Sequence, residues 1–559
     1  MNKSNTISYI KSILVIAILF TIVNAYAQND STTIITIEAY QPFLKDAFKI
    51  KDNPTIDDTG KINPNLTYTF LNKQIPVDFT VKPIKAAKIK GEPLVKLYKG
   101  YAKVGFGTNT TPLVNLYYNA KRSKTFNYGI TGKHFSSSGI SGNDYSGFSD
   151  NHLGIFGKRI LKEFSLYSKL NYDRNVVHYY GFPPENNTIV ANADNIQQIL
   201  NKISAVASLT RNYTDTTQFD YNFDLNYHYI TDVYDVNANH FSLDGNLSKY
   251  HKRELYEMGV EANYNQLNNL LNQKSNLVIG LKPHISTIAK KWEFQIGLGL
   301  FVNSHEKTTF HFYPQAEFKY NIADDIIIPY VGIRGGMQAN SLNNFFRENP
   351  FINTNEIAVL NTNKKYDVYA GIRGSITSNL SFNTSFSKQK LEGLPLYVKN
   401  EFGLQNKFIA AYDTLDLIQL DGELAYQKLE KWKILLTGNY YGYTPKNEIK
   451  AWHRPDLKIT LSGVYDLSDK IIVRADLFYI GQQYAKTTNV VTTSNTVVYT
   501  DASETLKGVF DANISLEYRY TKKLSAFINF NNIGSVKYER WQDYPTQRFG
   551  VLGGLTYSF

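Results

Sequence analysis

Hydrophobic and polar residues alternate with a period of two through most of the chain from about residue 99 onward. In the segment 509–520, the apolar residues at even-numbered positions, from Phe510 to Tyr520, alternate with Asp511, Asn513, Ser515, Glu517 and Arg519. Residues 219–228, 258–265 and 457–465 show the same split. Because successive side chains of a β-strand point to opposite faces, each segment is predicted to be a strand with one apolar and one polar face.

The charges on the polar faces decide what surrounds these strands. An Arg at the middle of a bilayer costs about 2–4 kcal/mol, so the polar faces are expected to line a wet lumen and the apolar faces to contact lipid. A soluble β-sandwich also alternates, with its polar faces in bulk water. Many of the predicted strands, however, are longer than the five to six residues that are usual in globular proteins. Their length favours a transmembrane barrel.

Short polar turns alternate with long connections that are rich in Asn, Gly and Thr, as they do in outer-membrane barrels. The short turns include 121–124, 289–291 and 466–469, and the longest connections are about 175–195, 338–362, 388–413 and 483–505. We predict an all-β fold over residues 99–559, a transmembrane antiparallel β-barrel of about 22 strands within a range of about 16–24. An even strand count leaves both ends of the barrel in the periplasm.

The N-terminus has the features of an export signal. Lys3 and Lys11 give it a positive charge, residues 13–23 are almost uninterruptedly apolar, and Ala25 and Ala27 form a small-x-small cleavage pattern. These features predict a signal peptide over residues 1–27 that is removed on export. A membrane-anchoring helix is the alternative, but the apolar run is shorter than the roughly 20 residues that a span needs.

The segment 28–98 contains frequent prolines, which disfavour long helices and central strands. They are Pro42, Pro54, Pro64, Pro76, Pro83 and Pro93. We expect a short N-terminal arm that is periplasmic or lies in the lumen. A small folded element or a partner-binding strand remains the alternative.

Composition and charge agree with an exported barrel. The chain of 559 residues has 42 Tyr and 33 Phe, and aromatic side chains are enriched where barrels meet the membrane interface. It has no Cys, which excludes a lipoprotein anchor and disulfide bonds. The net charge is +11, but the Lys and Arg residues are scattered. We therefore expect contact with outer-membrane lipids or an anionic ligand rather than with nucleic acid.

The sequence shows no catalytic, cofactor-binding or metal-binding constellation, and we do not expect an enzyme. Among the scattered histidines, His305 and His311 flank a bend and are interpreted as polar loop residues rather than metal ligands. The candidate functional residues are the charged and imidazole side chains on the polar strand faces. These candidate lumen-lining residues are Asp220, Asp224, His228, Glu261, Arg474, Asp476, Asp511, Glu517 and Arg519. Such groups hold one another and water in place, or they contact a passing solute.

The C-terminal region adds a family resemblance. The matching elements are Phe530-Asn531-Asn532-Ile533, Lys537-Tyr538, Tyr544-Pro545 and Arg548-Phe549, followed by an alternating strand that ends on Phe559. In this order they resemble the last strands of TonB-dependent receptors, as does the segment Trp452–Ala485. The resemblance implies a barrel of about 22 strands and a transport or receptor role in the outer membrane, and barrels of this width have an occluded lumen.

The front of the chain departs from that family, whose members carry a much longer N-terminal plug domain. One stretch resembles a TonB box, although Thr/Ile alternation is common; it consists of Thr33, Ile34, Ile35, Thr36, Ile37, Glu38 and Ala39. Coupling to TonB therefore stays open. The arm, inward-folded loops or a partner protein are the candidates for closing the lumen. We expect a transport or receptor role for an unidentified solute. The alternative is a barrel scaffold or assembly component for a periplasmic or surface partner, for example a lipoprotein.

Overall fold

The computed structural model describes residues 97–559, apart from 122, 144, 184–195, 213–217, 272–274, 324, 401–404 and 494–495. The predicted signal peptide, the TonB-box-like segment and all but the last two residues of the predicted arm lie outside the described residues. Those three expectations remain predictions. Within the described part of the chain, no helix has both the length and the apolar character needed to cross a membrane.

Twenty-two strands of the described residues form one closed antiparallel sheet, which confirms the predicted fold class and strand count. They are β1 (Gly100–Gly107), β2 (Thr111–Asn119), β3 (Phe126–Ser137), β4 (Phe148–Ile160), β5 (Phe164–His178), β6 (Gln197–Arg211), β7 (Asp220–Thr231), β8 (Asn237–His251), β9 (Glu254–Asn268), β10 (Asn276–Ile288), β11 (Trp292–Ser304), β12 (Thr308–Tyr320), β13 (Ile328–Gln338), β14 (Thr362–Thr377), β15 (Leu380–Lys399), β16 (Phe408–Lys428), β17 (Trp432–Pro445), β18 (Leu457–Leu467), β19 (Ile471–Ile480), β22 (Val509–Arg519), β23 (Leu524–Asn531) and β26 (Gly550–Ser558). Each strand pairs with its neighbour around the barrel, and β1 pairs with β26, with Val104 opposite Leu555, to close it.

The remaining elements lie in the connections. The hairpin of β20 (Gln483–Thr493) and β21 (Thr496–Leu506) follows β19, the small pair β24 (Glu539–Trp541) and β25 (Tyr544–Pro545) follows β23, and helix α1 (Leu342–Glu348) follows β13.

The two faces of the strands are as the alternation predicts. On β22, Phe510 is 62% exposed on the outer face, whereas Asp511 next to it is 3% exposed. Large exposed apolar side chains recur in this way on nearly every barrel strand, for example Ile203, Phe312 and Leu555. Because apolar surface of this extent is unfavourable in water, it suits the hydrocarbon region of a bilayer.

The connections differ at the two ends of the barrel. At the terminal end, where β1 begins and β26 ends, the turns are tight. Ser468 and Asp469, for example, each have φ of 56°, and the backbone N–H of Lys470 donates to the carbonyl oxygen of Leu467 at 3.0 Å to close the turn between β18 and β19. The long connections lie at the opposite end, which we call the loop end.

At the loop end the structure corrects the predicted extent of one connection. Most of 388–413 belongs to β15 and β16, which are 20 and 21 residues long. The predicted connection 483–505 lies between β19 and β22 and contains the β20–β21 hairpin. The alternation of β15 and β16 continues in this extension, but its apolar side chains pack on protein. Leu415 lies on the same face of β16 as Gln419, opposite the exposed Ile418, and Leu396 and Leu415 both belong to a buried group around Trp452.

Candidate functional site

Buried apolar side chains from several connections and strand ends meet at the loop end. We call this group the loop-end cluster; it contains Leu200, Ile230, Val236, Ala238, Leu267, Leu342, Phe345, Phe346, Ile352, Ile357, Val359, Tyr397, Phe408, Trp541 and Tyr544. The β13–β14 connection supplies the largest share. The cluster joins strands β6–β9 on one side of the barrel to β15 and β16 on another.

Helix α1 contributes the side chains at the start of the β13–β14 connection. Ser341 caps it, since its side chain accepts a hydrogen bond from the backbone N–H of Asn344 at 3.3 Å. The ring of Phe345 lies edge-on to that of Tyr397, with centroids 6.1 Å apart. At the end of the helix, Glu348 accepts a hydrogen bond from the Tyr397 hydroxyl at 3.0 Å and pairs with Arg454 at 2.7 Å. The helix is therefore held by the end of β15 and by the β17–β18 connection.

The β23–β26 connection inserts two aromatic rings into the cluster. Tyr544 stacks on Phe351 with centroids 3.7 Å apart, and its hydroxyl donates to the carbonyl oxygen of Asn406. Gly181 lies against this ring, because a Cβ atom built there would be 2.2 Å from Tyr544 Cε2. A side chain at position 181 is therefore incompatible with the position of Tyr544.

Polar contacts fix the rim of the cluster. Asp232 accepts hydrogen bonds from the Thr354 hydroxyl at 2.5 Å and from the Gln198 side-chain amide at 2.9 Å. The Asn269 side-chain amide donates to the carbonyl oxygens of Thr354 and Ile357 at 3.1 and 3.0 Å. Burial, followed by the charge of Asp232, raises the pKa of Tyr234 in the β7–β8 connection to about 12.

A buried histidine of the β17–β18 connection joins the ends of β15 and β16 to the β23–β26 connection. His453 Nδ1 lies 2.9 Å from the carbonyl oxygen of Tyr397, and the backbone N–H of Gln542 donates to its Nε2 at 3.4 Å. The ring packs against Phe408 and Trp541. Burial lowers the pKa of His453 to about 4, so the imidazole is neutral at neutral pH and can accept from Gln542. The sequence analysis did not select His453. The only feature of the sequence that could have indicated it is that it lies in the segment Trp452–Ala485, which resembles TonB-dependent receptors.

The predicted lumen-lining residues lie on the polar faces of their strands, opposite the exposed apolar side chains. The structure brings some of them together on β19 and β22. Arg474 and Glu517 form an ion pair at 3.2 Å across these strands, and Arg519 lies 3.9 Å from Glu517. Asp476 instead accepts a hydrogen bond from Ser462 on β18 at 2.6 Å. Asp511 lies apart from them and accepts from the backbone N–H of Gly534 at 3.1 Å.

The other predicted residues lie on β7 and β9. Asp224 is opposite Asp244 on β8, which in turn is opposite Glu261 on β9. Glu261 forms an ion pair with Lys282. His228 is opposite His240, which the sequence analysis did not select.

Asp220 lies at the exposed start of β7, apart from this group. Whether any of the nine residues contacts a solute remains a prediction. Among the described residues, no group of three or more His, Cys, Asp or Glu side chains is arranged to hold a metal ion.

A closed antiparallel barrel of 22 strands with long connections at one end defines the class of TonB-dependent receptor barrels, and the predicted resemblance is confirmed for the fold. The ferric-catecholate import receptor Fiu from Escherichia coli K12 is 12% identical, with a TM-score of 0.60 over 83% of this chain and 82% of that chain. The iron transporter FrpB from Neisseria meningitidis is 10% identical, with a TM-score of 0.64 over 83% of this chain and 82% of that chain. The copper transporter OprC is 11% identical, with a TM-score of 0.60 over 83% of this chain and 81% of that chain.

No family model and no curated protein matches the sequence. At these identities the likeness is one of fold.

Proposed function

We propose that this chain is an outer-membrane receptor or transporter whose lumen is closed at the loop end by its own connections. The loop-end cluster is the observation that carries this proposal. It contains side chains from opposite parts of the barrel rim, and several of its largest members, including Phe345, Phe408 and Tyr397, are almost fully buried. Loops that bury such rings against one another form a compact layer rather than independent surface loops.

The width of the barrel requires such a closure. Barrels of 22 strands enclose a lumen that is plugged, whereas narrower porins of 16–18 strands already leave an aqueous channel. An unobstructed lumen would therefore make the outer membrane permeable to small solutes. In the proposal, the loop-end cluster provides the barrier on the outer side, and a solute enters when the connection containing α1 moves away from Tyr397 and Tyr544.

The proposed solute path lies below the cluster along the polar strand faces. The paired charges of Arg474 and Glu517, and the acidic row of Asp224, Asp244 and Glu261, are the candidate contacts on this path. The fold shared with iron and copper transporters supports transport over a purely structural role. Coupling to TonB through residues 33–39, and contact with a lipoprotein or other periplasmic partner, are further parts of the proposal.

Planar-bilayer conductance of the full chain tests the closure. The wild-type protein is expected to show few and small openings. Phe345→Ala removes a buried ring of the cluster and is expected to produce frequent large openings. Phe310→Ala removes a ring of the same size that is 69% exposed on the outer face, and it serves as the matched control. Large openings of the wild-type protein, or equal behaviour of the two variants, would show that the connections do not close the lumen.

A further inference from the structure

Two histidines and an asparagine lie side by side on three neighbouring strands, directly below the loop-end cluster. In the register of the sheet, His228 on β7 is opposite His240 on β8, and His240 is opposite Asn265 on β9. The centroids of the two imidazole rings are 4.6 Å apart. The neighbouring residues Tyr227, Phe241 and Tyr264 are exposed on the outer face, so this row is on the inner face.

Each member of the row has a buried polar atom without a hydrogen-bond partner. These atoms are Nε2 of His228, Nδ1 of His240 and Oδ1 of Asn265. A buried polar atom that lacks a partner is unfavourable, and proteins satisfy nearly all such atoms. Three of them in adjacent register positions therefore indicate a shared binding partner.

Other lumen-facing histidines are partnered differently. Both ring nitrogens of His284 on β10 have a partner, Glu257 Oε2 at 2.7 Å and the carbonyl oxygen of Lys282 at 3.3 Å. The same is true of His152, with Asp173 at 2.6 Å and Thr131 at 3.2 Å. His305, in the β11–β12 connection, also has an unsatisfied buried nitrogen, but the lumen-facing His284 and His152 on the barrel strands do not share this feature with His228 and His240.

The surroundings of the row favour a cation. On the side of the loop end, the next inward-facing row is Ile230, Ala238 and Leu267, all buried members of the loop-end cluster. Toward the terminal end, the second inward-facing row is Asp224, Asp244 and Glu261. A cation that reaches the two imidazoles thus has apolar side chains on one side and carboxylates on the other.

Lys202 is the nearest positively charged side chain on β6, and its partners lie away from the two histidines. The ammonium group of Lys202 lies 3.2 Å from Asp173 on β5 and 3.4 Å from Asn343 Oδ1 of α1. The ammonium group is therefore held toward β5 and the helix, and it is not a hydrogen-bond partner of the two histidines.

We propose that His228, His240 and Asn265 form a binding site for a transition-metal cation, namely Cu²⁺, Ni²⁺ or Zn²⁺, with water completing its coordination. Imidazole nitrogens prefer these ions, whereas Mg²⁺ and Ca²⁺ prefer sites made only of oxygen. Two imidazoles and one amide oxygen leave coordination positions open, which suits a cation that exchanges with solution. The site does not depend on whether the barrel transports a solute.

Metal titration of the purified full chain, carrying no polyhistidine tag, tests the proposal. Isothermal titration with Ni²⁺ and Zn²⁺ at pH 7.5, and electron paramagnetic resonance with Cu²⁺, are the measurements. We expect one equivalent of bound metal and a Cu²⁺ spectrum with hyperfine coupling to imidazole nitrogen. His228→Ala and His240→Ala should each weaken binding by more than about tenfold, since loss of even an outer-shell partner has an effect of this size. Asn265→Ala should have a smaller effect.

His284→Ala is the matched control, because it removes a partnered histidine from the same lumen and should leave binding unchanged. The heat-dependent mobility of the folded barrel on a gel verifies that each variant is folded. If an alanine variant is not folded, the glutamine variant at the same position, His228→Gln or His240→Gln, replaces it. Three results would overturn the proposal: no metal bound by the wild-type chain, the same affinity in a folded variant that lacks both His228 and His240, or an equal loss in His284→Ala. Each would mean that this row is not the metal site.

Discussion

The ring of Tyr544 stacks on the ring of Phe351, with centroids 3.7 Å apart and an angle of 21° between the planes. Tyr544 belongs to the β23–β26 connection and Phe351 to the β13–β14 connection, so this contact joins two loops from different parts of the sequence. Tyr180 also meets Tyr544 edge-on at 4.9 Å. Tyr544 thus contacts rings from two other connections, and the loop-end cluster depends on it.

Tyr544→Ala should loosen the β13–β14 and β23–β26 connections together. Replacing a buried ring by Ala costs about 3–5 kcal/mol, and this cost should fall on the loop-end cluster rather than on the barrel. Hydrogen exchange should become faster in residues 338–362 and 531–549 while the barrel strands keep their protection. Tyr557→Ala, whose ring is exposed on β26, is the control. Faster exchange in all strands would contradict a local role.

Gly181→Ala should displace Tyr544 without removing any ring. A Cβ atom at position 181 would approach the Tyr544 ring to 2.2 Å, so either the loop or the ring must move. We expect larger conductance and faster protease cleavage of the loop end. Gly438→Ala is the matched control, because nothing lies within 4 Å of a Cβ atom built there. Unchanged conductance in Gly181→Ala would contradict the proposed packing.

The loop-end cluster should weaken at low pH through His453. Burial lowers the pKa of this imidazole to about 4 in the folded cluster, compared with about 6.5 in an unfolded chain. Between these values the opened loops bind more protons than the closed ones, so the stability from His453 is complete above about pH 6.5 and is lost as the pH falls toward 4. Protonation also removes the acceptor for the Gln542 N–H.

Hydrogen exchange of residues 338–362 between pH 7 and pH 4.5, corrected for the intrinsic rate, measures this effect. His453→Gln should reduce the pH dependence, whereas His251→Gln at the exposed end of β8 should leave it unchanged. An identical pH dependence in wild type and His453→Gln would contradict the role of His453.

Trp452→Ala should destabilise the extension of β15 and β16. The indole is fully buried against Leu396 and Leu415 of this extension, and its Nε1 donates to Glu448 at 2.8 Å. Loss of the ring leaves Leu396 and Leu415 without cover, and we expect faster exchange in residues 391–399 and 408–415. Trp432→Ala at the terminal end, where the ring is 41% exposed, should leave these residues protected. Equal protection in the two variants would contradict the explanation given for the long strands.

The barrel itself was predictable from the sequence, because alternation reports which face of a strand is apolar and the short turns mark the strand ends. The pattern does not report what covers an apolar face. The extension of β15 and β16 was therefore interpreted as a loop, although Leu396 and Leu415 pack on Trp452 rather than on lipid.

The candidate site was only partly predictable. His228 was selected from the polar face of its strand, but His240 became its neighbour only through the register of β7 and β8. His453 and Tyr544 acquire their partners through loop folding, for which the sequence has no periodic signal.

Planar-bilayer conductance of the chain lacking residues 28–97 tests the central claim most directly, because it separates closure by the loops from closure by the N-terminal arm. If the loop-end cluster closes the lumen, the truncated protein should remain as closed as the full chain, and Phe345→Ala should open both. Large, stable openings in the truncated protein with an intact loop-end cluster would contradict the account and assign the closure to the arm.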